Sequence, residues 1–147
     1  MKPLAVYWSN FFNLGKIPLR GSIASAIVLL LAAGLLQWNN LYGQLIIVAL
    51  IVSWIISTFS ASRAYSQPDP LEIVADEAAA AALIALFIPL VWWWYLTAFI
   101  LFRFFDITKI FGLKKLEQLP GAYGILLDDL GAACYSIIII SIIHLWL

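Results

Sequence analysis

The chain has 147 residues, of which 65% are hydrophobic and 11% are charged, and its eight basic and eight acidic side chains give a formal net charge of zero. A soluble domain carries about 25% charged residues, so this composition cannot cover a soluble globule with polar surface. The lack of a basic excess argues against a nucleic-acid-binding protein, and the single cysteine, Cys134, excludes a disulfide framework or a cysteine metal cluster.

Three long segments contain no Asp, Glu, Lys or Arg, and they cover residues 21–62, 78–102 and 130–147. About 20 apolar residues cross a bilayer as a helix. The first segment therefore predicts two spans, over about residues 22–36 and 43–59, and the third predicts a span over 130–147. We expect an all-α, polytopic integral membrane helical bundle that forms one membrane domain over the whole chain.

The middle segment, residues 78–102, allows two interpretations because Pro89 lies near its centre. One straight helix would hold Asp76 and Asp106 roughly 45 Å apart. A broken or re-entrant helical hairpin would bring them to one face, and it must then pack inside the bundle. Basic residues favour the cytoplasmic side, and the hairpin would place all eight there. We therefore expect three full spans and a hairpin that turns near Pro89.

Acidic side chains stand at the boundaries of the apolar segments. They are Asp69, the pair Asp76-Glu77, Asp106 and the pair Asp128-Asp129. Carboxylate clusters suit Mg²⁺, which commonly takes one or two carboxylates together with water and substrate phosphate. Arg103, Asp106 and Lys109 recur every three residues and so lie on nearly one helical face, where cations suited to phosphate flank a carboxylate.

Each of these patterns also has an ordinary interpretation. An acidic pair can cap a helix and complement its dipole. Arg103, Asp106 and Lys109 can form simple ion pairs along one helix. Six carboxylates beside apolar helices are nevertheless costly unless they are paired or functional, which favours a site.

Other chemistry has weak support in the sequence. His144 is the only histidine and is expected to lie at the membrane interface, opposite the acids, which argues against a histidine-dependent phosphatase. Cys134 is expected to pack in the core. Residues 92–95, Trp-Trp-Trp-Tyr, are expected to face lipid or to anchor the chain at the interface.

Taken in order, these motifs resemble the phosphatidylglycerophosphatase A family of bacterial membrane lipid phosphatases. The resemblance covers roughly residues 15–135 and rests on the combination of its motifs. They are Gly15-Lys16-Ile17-Pro18 with Gly21-Ser22, Asp69-Pro70 with Ile73-Val74 and Asp76-Glu77, Phe102 to Ile107 with Lys109, Gly121 to Ile125, and Asp128-Asp129. The chain departs from the family pattern at small residues and turns, at Leu19-Arg20, Ala80, Ile110, Ala122 and Ala133.

The resemblance implies Mg²⁺-dependent hydrolysis of phosphatidylglycerol phosphate, a phospholipid substrate, at the cytoplasmic face of the bacterial inner membrane. Our hypothesis assigns three sets of residues. Asp76, Glu77, Asp128 and Asp129 hold Mg²⁺, Arg103 and Lys109 bind phosphate, and Asp106 and Asp129 are catalytic, with support from Asp69, Lys16 and Ser22. Asp106 would orient a cation or serve as the base for water. Direct attack by water and an aspartyl-phosphate intermediate both stay open.

Three competing functions are kept. A non-enzymatic membrane protein, such as a small channel or assembly factor, predicts acids on both faces. A phosphatase for a different lipid headgroup would share the same site chemistry. A phosphatidyltransferase would normally show a longer aspartate-rich motif, which is absent here. Protein partners are not predicted by any feature of the sequence.

Overall fold

The computed structural model describes residues 4–11, 17–63 and 73–146 of the chain. Those residues form helices and connecting turns, without a β-strand among them. The helices are α1 (Leu4–Ser9), α2 (Arg20–Trp38), α3 (Asn40–Ser62), α4 (Ala75–Phe87), α5 (Trp92–Thr108), α6 (Leu113–Glu117) and α7 (Ala122–Leu145). The predicted all-α class is confirmed for this part of the chain.

Three of the helices, α2, α3 and α7, are long and apolar enough to cross a membrane. The described residues thus contain as many span-length apolar helices as the sequence predicts, and their insertion in a membrane stays a prediction. The last of these helices starts earlier than the predicted segment. Helix α7 begins at Ala122 rather than at Leu130, so Asp128 and Asp129 lie inside the helix. The sequence prediction started the helix after the last charged residue. A helix can include charged residues when their side chains face the bundle interior, and Asp128 and Asp129 are both buried.

The middle segment reverses direction near Pro89, as the sequence predicts. Helix α4 ends at Phe87, Ile88 is extended as expected for a residue before proline, and α5 begins at Trp92. Glu77 and Arg103 then lie within 3.5 Å of each other, whereas one straight helix would separate them by about 39 Å. At 13 and 17 residues, α4 and α5 extend about 20 and 26 Å, less than the roughly 30 Å of a hydrocarbon core.

Helix α4 occupies the centre of the bundle, where it packs against α2, α3 and α7. Its alanine run, residues 78–82, is at most 2% exposed. Small side chains let helices approach closely, so a run that has little hydrophobic bulk can be buried on every side. The outer helices instead expose large apolar side chains, including Leu30, Ile56, Leu96 and Ile138. Such a surface suits contact with lipid.

Helix α1 packs against α3 and also holds the chain segment before α4. The carbonyl of Ser9 accepts a 2.9 Å hydrogen bond from the backbone N–H of Val74. The ring of Trp8 stacks on that of Trp54, with 6.1 Å between their centroids. The start of α4, and with it Asp76, is thereby fixed from the side of α1.

Two expectations about individual side chains need correction. Cys134 is exposed on α7 rather than packed in the core, because its helical position faces outward. Trp92 and Trp93 are exposed as expected, but Trp94 and Tyr95 are buried, since successive residues of a helix point in different directions. His144 is exposed and contacts the ring of Trp94 at the end of α7 far from the acids.

Candidate active site

Predicted site residues from α4, α5 and α7 meet around one cavity of about 540 Å³. Residues that line it include Asp76, Glu77, Asp106, Lys109, Asp128 and Asp129. The turn before α7 completes the wall with Pro120 and Gly121. The hairpin explains this convergence, because it returns the end of α5 to the start of α4.

Lys109 lies among carboxylates from three elements. Its Nζ donates a hydrogen bond to Asp128, and it lies 3.3 Å from Asp106 and 4.0 Å from Glu117. The residue ends α5 in the left-handed conformation, with φ of 49°, which turns the chain toward α6. Burial alone lowers the pKa of Lys109, but the bond to Asp128 and the surrounding negative charges outweigh it, so the pKa lies above its usual value. Lys109 is therefore a permanent cation in the cavity wall.

Arg103 has a different place from the one its predicted role requires. Its guanidinium lies 2.5 Å from Asp106 and 3.5 Å from Glu77. It is absent from the residues that line the cavity. Arg103 therefore links α5 to the start of α4, and it contacts Glu77 and Asp106 from the side that faces away from the cavity.

The acids are buried and incompletely paired. Asp76, Asp106, Asp128 and Asp129 are between 3% and 9% exposed. Within the described residues, one oxygen each of Asp76, Glu77 and Asp128 is buried without a hydrogen-bond partner. An unpartnered buried carboxylate oxygen is costly, so these atoms indicate a missing ligand.

Burial also changes the protonation of the acids at the start of α4. Burial, followed by the negative charge of Asp106, raises the pKa of Glu77 to about 7, although Arg103 and Arg20 act in the opposite direction. Burial, followed by the charge of Glu77, raises the pKa of Asp76 well above its usual value. Both pKa values are raised because the ionised carboxylates are poorly hydrated and lie close to other negative charges. A bound cation would stabilise the ionised forms.

The donor set fits Mg²⁺ in one particular way. Among residues 4–11, 17–63 and 73–146, no three acidic, histidine or cysteine side chains are arranged to hold a metal ion by themselves. Mg²⁺ does not require such a cage, because it keeps several waters and commonly binds one or two carboxylates plus substrate phosphate. Asp76, Glu77 and Asp128 each have an unpartnered oxygen and line one cavity, so they offer three candidate carboxylates, of which one or two would suffice.

The ordinary interpretations account for only part of this geometry. Asp76 and Glu77 lie in the first turn of α4, where acidic side chains complement the helix dipole. Asp128 and Asp129 lie within α7 and cap nothing. The predicted ion pairs along α5 form, and they are extended by Glu77 and Asp128 from other helices.

The three residues predicted to support the site are Ser22, Lys16 and Asp69. Ser22 is half-buried in the first turn of α2 and does not line the cavity. Lys16 and Asp69 lie outside the described residues. Their predicted roles stay predictions.

Sequence reasoning missed Arg20 and Glu117, which both line the cavity. The sequence interpretation counted Arg20 among the cytoplasmic charges and among the departures from the family pattern, although its place next to Gly21-Ser22 at the start of an apolar segment was a usable signal. Glu117 lies in the five-residue helix α6, too short for any periodic pattern to reveal. Arg20 and Glu117 are therefore a cation and an acid of the cavity that the sequence hypothesis did not include.

Comparison with known proteins agrees with these observations. The family model described as "Phosphatidylglycerophosphatase A" matches residues 7–144. A Haemophilus influenzae protein named "Phosphatidylglycerophosphatase A" is 43% identical over 77 residues, covering 51% of this chain and 47% of that protein. A Bacteroides thetaiotaomicron protein named "Putative phosphatidylinositol-3-phosphatase" is 39% identical over 82 residues, covering 50% of this chain and 48% of that protein.

The chain thus spans about half the length of these curated relatives. No solved structure matches it significantly. The family match covers nearly all of the chain, including the helices that carry the acids and cations of the cavity. The chain belongs to the phosphatidylglycerophosphatase A family.

Proposed function

We propose that this protein is a Mg²⁺-dependent phosphatase that hydrolyses phosphatidylglycerol phosphate to phosphatidylglycerol and inorganic phosphate. The observation that carries the proposal is the cavity at one end of an apolar bundle, where buried acids with unpartnered oxygens face a lysine and an arginine. Membership of the phosphatidylglycerophosphatase A family supports the choice of reaction.

The proposed location is the bacterial inner membrane, with the cavity facing the cytoplasm. The basic residues of the described segments all belong to the cavity end of the bundle, and they are Arg20, Arg63, Arg103, Lys109, Lys114 and Lys115. The turn between α2 and α3, at the other end, has none. This bias favours a cytoplasmic cavity. The acyl chains of the substrate would stay in the bilayer while its phosphate enters the cavity.

In this proposal, Arg20 and Lys109 neutralise the phosphate because both line the cavity. Arg103 has a positioning role, because its Nη1 forms ion pairs with Glu77 and Asp106 and its side chain does not line the cavity. The charge on a phosphomonoester is better matched by several fixed cations than by one. Arg20 therefore takes the place that the sequence hypothesis gave to Arg103.

Asp76, Glu77, Asp128 and Asp129 would hold the metal directly or through water. When bound, Mg²⁺ supplies polarisation of the phosphoryl oxygens and makes a bound water more acidic. Asp129, at 3% exposure, or Asp106 takes a proton from water as the water oxygen bonds to phosphorus. The bond from phosphorus to the glycerol oxygen breaks, and the protonated acid returns the proton to that oxygen, which leaves as the hydroxyl of phosphatidylglycerol. Attack by an aspartate carboxylate followed by hydrolysis gives the same products, and trapping a phosphorylated aspartate would identify that route.

The decisive experiment measures phosphate release from phosphatidylglycerol phosphate in detergent micelles, with Mg²⁺ or with EDTA. Wild type should release phosphate only with Mg²⁺, and Asp129→Asn should be nearly inactive. His144→Gln, at the opposite end of α7, is the matched control and should behave as wild type. Equal release by all three proteins in both conditions would contradict the proposal.

The alternative substrate is phosphatidylinositol 3-phosphate, a phospholipid with a different headgroup. It is suggested by the relative at 39% identity that is named "Putative phosphatidylinositol-3-phosphatase". Both substrates present a phosphomonoester at a membrane surface, so the same cavity chemistry serves either. The two are separated by comparing kcat/KM for phosphatidylglycerol phosphate and phosphatidylinositol 3-phosphate in the same micelles. We expect preference for the glycerol headgroup.

A further inference from the structure

We infer that Gly21, in the first turn of α2, is a positioning residue for the Glu77 carboxylate. The absence of a side chain at Gly21 leaves the space in which that carboxylate lies. This inference deepens the proposed function, because it concerns how the acids of the cavity are held ready for a divalent cation. Gly21 itself does not line the cavity, so its effect must pass through Glu77.

The geometry at Gly21 leaves no room for a Cβ atom as long as the Glu77 carboxylate keeps its position. A Cβ atom built there would overlap Oε1 of Glu77 and lie 2.5 Å from its Cδ and 3.0 Å from Oε2. The whole carboxylate is therefore packed against the backbone of α2. The nearest atoms belong to the mobile end of a side chain, so an alanine at this position would displace the carboxylate rather than break the backbone packing.

The position of Glu77 has an electrostatic reason. The N-cap of α2 is Leu19, which has φ of 58° and makes no side-chain capping bond. An anion is stabilised at a helix N-terminus, and Glu77 supplies one from another helix. On its other side, Arg103 lies 3.5 Å from Oε1. The carboxylate is thus held between α2 and α5, and its Oε2 is buried without a partner in the described part of the chain.

Glycine is less favourable than alanine within a helix, so the surroundings of each glycine in α2 are informative. Gly34 in the same helix provides the comparison. A Cβ at Gly34 would meet no atom within 4 Å, whereas at Gly21 it would meet Glu77. The two glycines of α2 therefore differ in function: the Gly21 position requires an open space, and the Gly34 position does not.

The test measures binding of Mn²⁺, as a probe for Mg²⁺, to the full chain in detergent by the loss of the free-ion electron paramagnetic resonance signal. Gly21→Ala should weaken binding by about 10- to 100-fold, the usual cost of disturbing a group that orients a metal ligand. Gly34→Ala, in the same helix, should bind as wild type. Equal binding by wild type and Gly21→Ala would overturn the inference while leaving the proposed function standing.

A rescue experiment separates positioning from a general effect on α2. Glu77→Asp shortens the side chain by one methylene, so adding Gly21→Ala to it should cause a smaller loss of Mn²⁺ binding than in wild type. The same loss in both backgrounds would overturn the inference. If Gly21→Ala unfolds, recovery of folding in the double variant supports the inference and failure to recover overturns it. Absence of Mn²⁺ binding by wild type would reject the metal site proposed above, and this inference with it.

Discussion

The two ends of the helical bundle differ in the residues that form them: one end is rich in charged side chains and the other is apolar. The charged end comprises the starts of α2, α4 and α7, the ends of α3 and α5, and helix α6. It gathers buried carboxylates and cations around a cavity. The apolar end comprises the α2–α3 turn, the α4–α5 turn at 88–91 and the end of α7, and there Trp38, Phe87 and Trp92 are exposed.

The comparison shows that the described part of this chain confines its buried charged side chains, whose desolvation is unfavourable, to one end of the bundle. Isolated charges in an apolar bundle are expensive, but acids and cations that neutralise each other within a few ångströms recover part of that cost. Lys109 and Arg103 do this for three carboxylates, those of Glu77, Asp106 and Asp128. The short hairpin of α4 and α5 makes the arrangement possible, because it begins and ends at the charged end.

The largest expected contrast between the two ends is their sidedness in the membrane. In a Cys134→Ser background, needed because Cys134 is exposed, Lys114→Cys should react with an impermeant thiol reagent only from the cytoplasmic side. Asn40→Cys, exposed at the apolar end, should react only from the other side. Labelling is measured in intact cells and in inverted vesicles. Reaction of both positions from one side would contradict the proposed topology.

Loss of Lys109 should cost the most activity of any single cation. Lys109→Met leaves Asp106 and Asp128 without their shared cation and removes a phosphate-binding charge, so kcat/KM for phosphate release should fall by about 100-fold or more. Lys115→Met, an exposed lysine at the same end, is the matched control and should change activity little. Comparable activity of the two variants would remove Lys109 from the proposed mechanism.

Helix α4, at the centre of the bundle between the two ends, should tolerate little added side-chain volume. Ala80 is fully buried in α4, so Ala80→Leu should lower the free energy of unfolding in detergent by about 1–3 kcal/mol. Val52→Leu adds volume on the exposed face of α3 and should have almost no effect. Thermal unfolding of both variants tests this. An unchanged midpoint for Ala80→Leu would mean that α4 is not packed as tightly as the structure shows.

The smallest expected effect belongs to the apolar end. His144 meets Trp94 edge to face with 5.8 Å between ring centroids. His144→Ala should lower stability by about 0.5–1.5 kcal/mol and leave phosphate release unchanged. His144→Phe preserves the ring contact and should restore stability. A loss of activity in His144→Ala without loss of stability would break the division between a functional and a structural end.

Much of the site was predictable because its signals are local. Acids at the edges of charge-free segments are visible in the sequence, and so are the three-residue spacing of Arg103, Asp106 and Lys109 and the proline in the middle segment. Asp76, Glu77, Asp106, Lys109, Asp128 and Asp129 line the cavity, and Pro89 lies in the turn that brings α5 back to the start of α4. The errors came where helix rotation decides the outcome. Trp94 is buried beside the exposed Trp93, and Cys134, which the sequence places in the core, is exposed.

The sequence by itself determined that the chain is helical and that its surface suits a lipid environment, because 65% apolar residues with few charges cannot form a soluble surface. It also limited the chemistry to carboxylates and cations. Only the tertiary structure decided that Arg20 faces the cavity, that Glu77 lies against Gly21 and that α7 begins at Ala122. Those outcomes depend on which faces of α2, α4 and α7 meet, and close packing around the alanine run sets those faces.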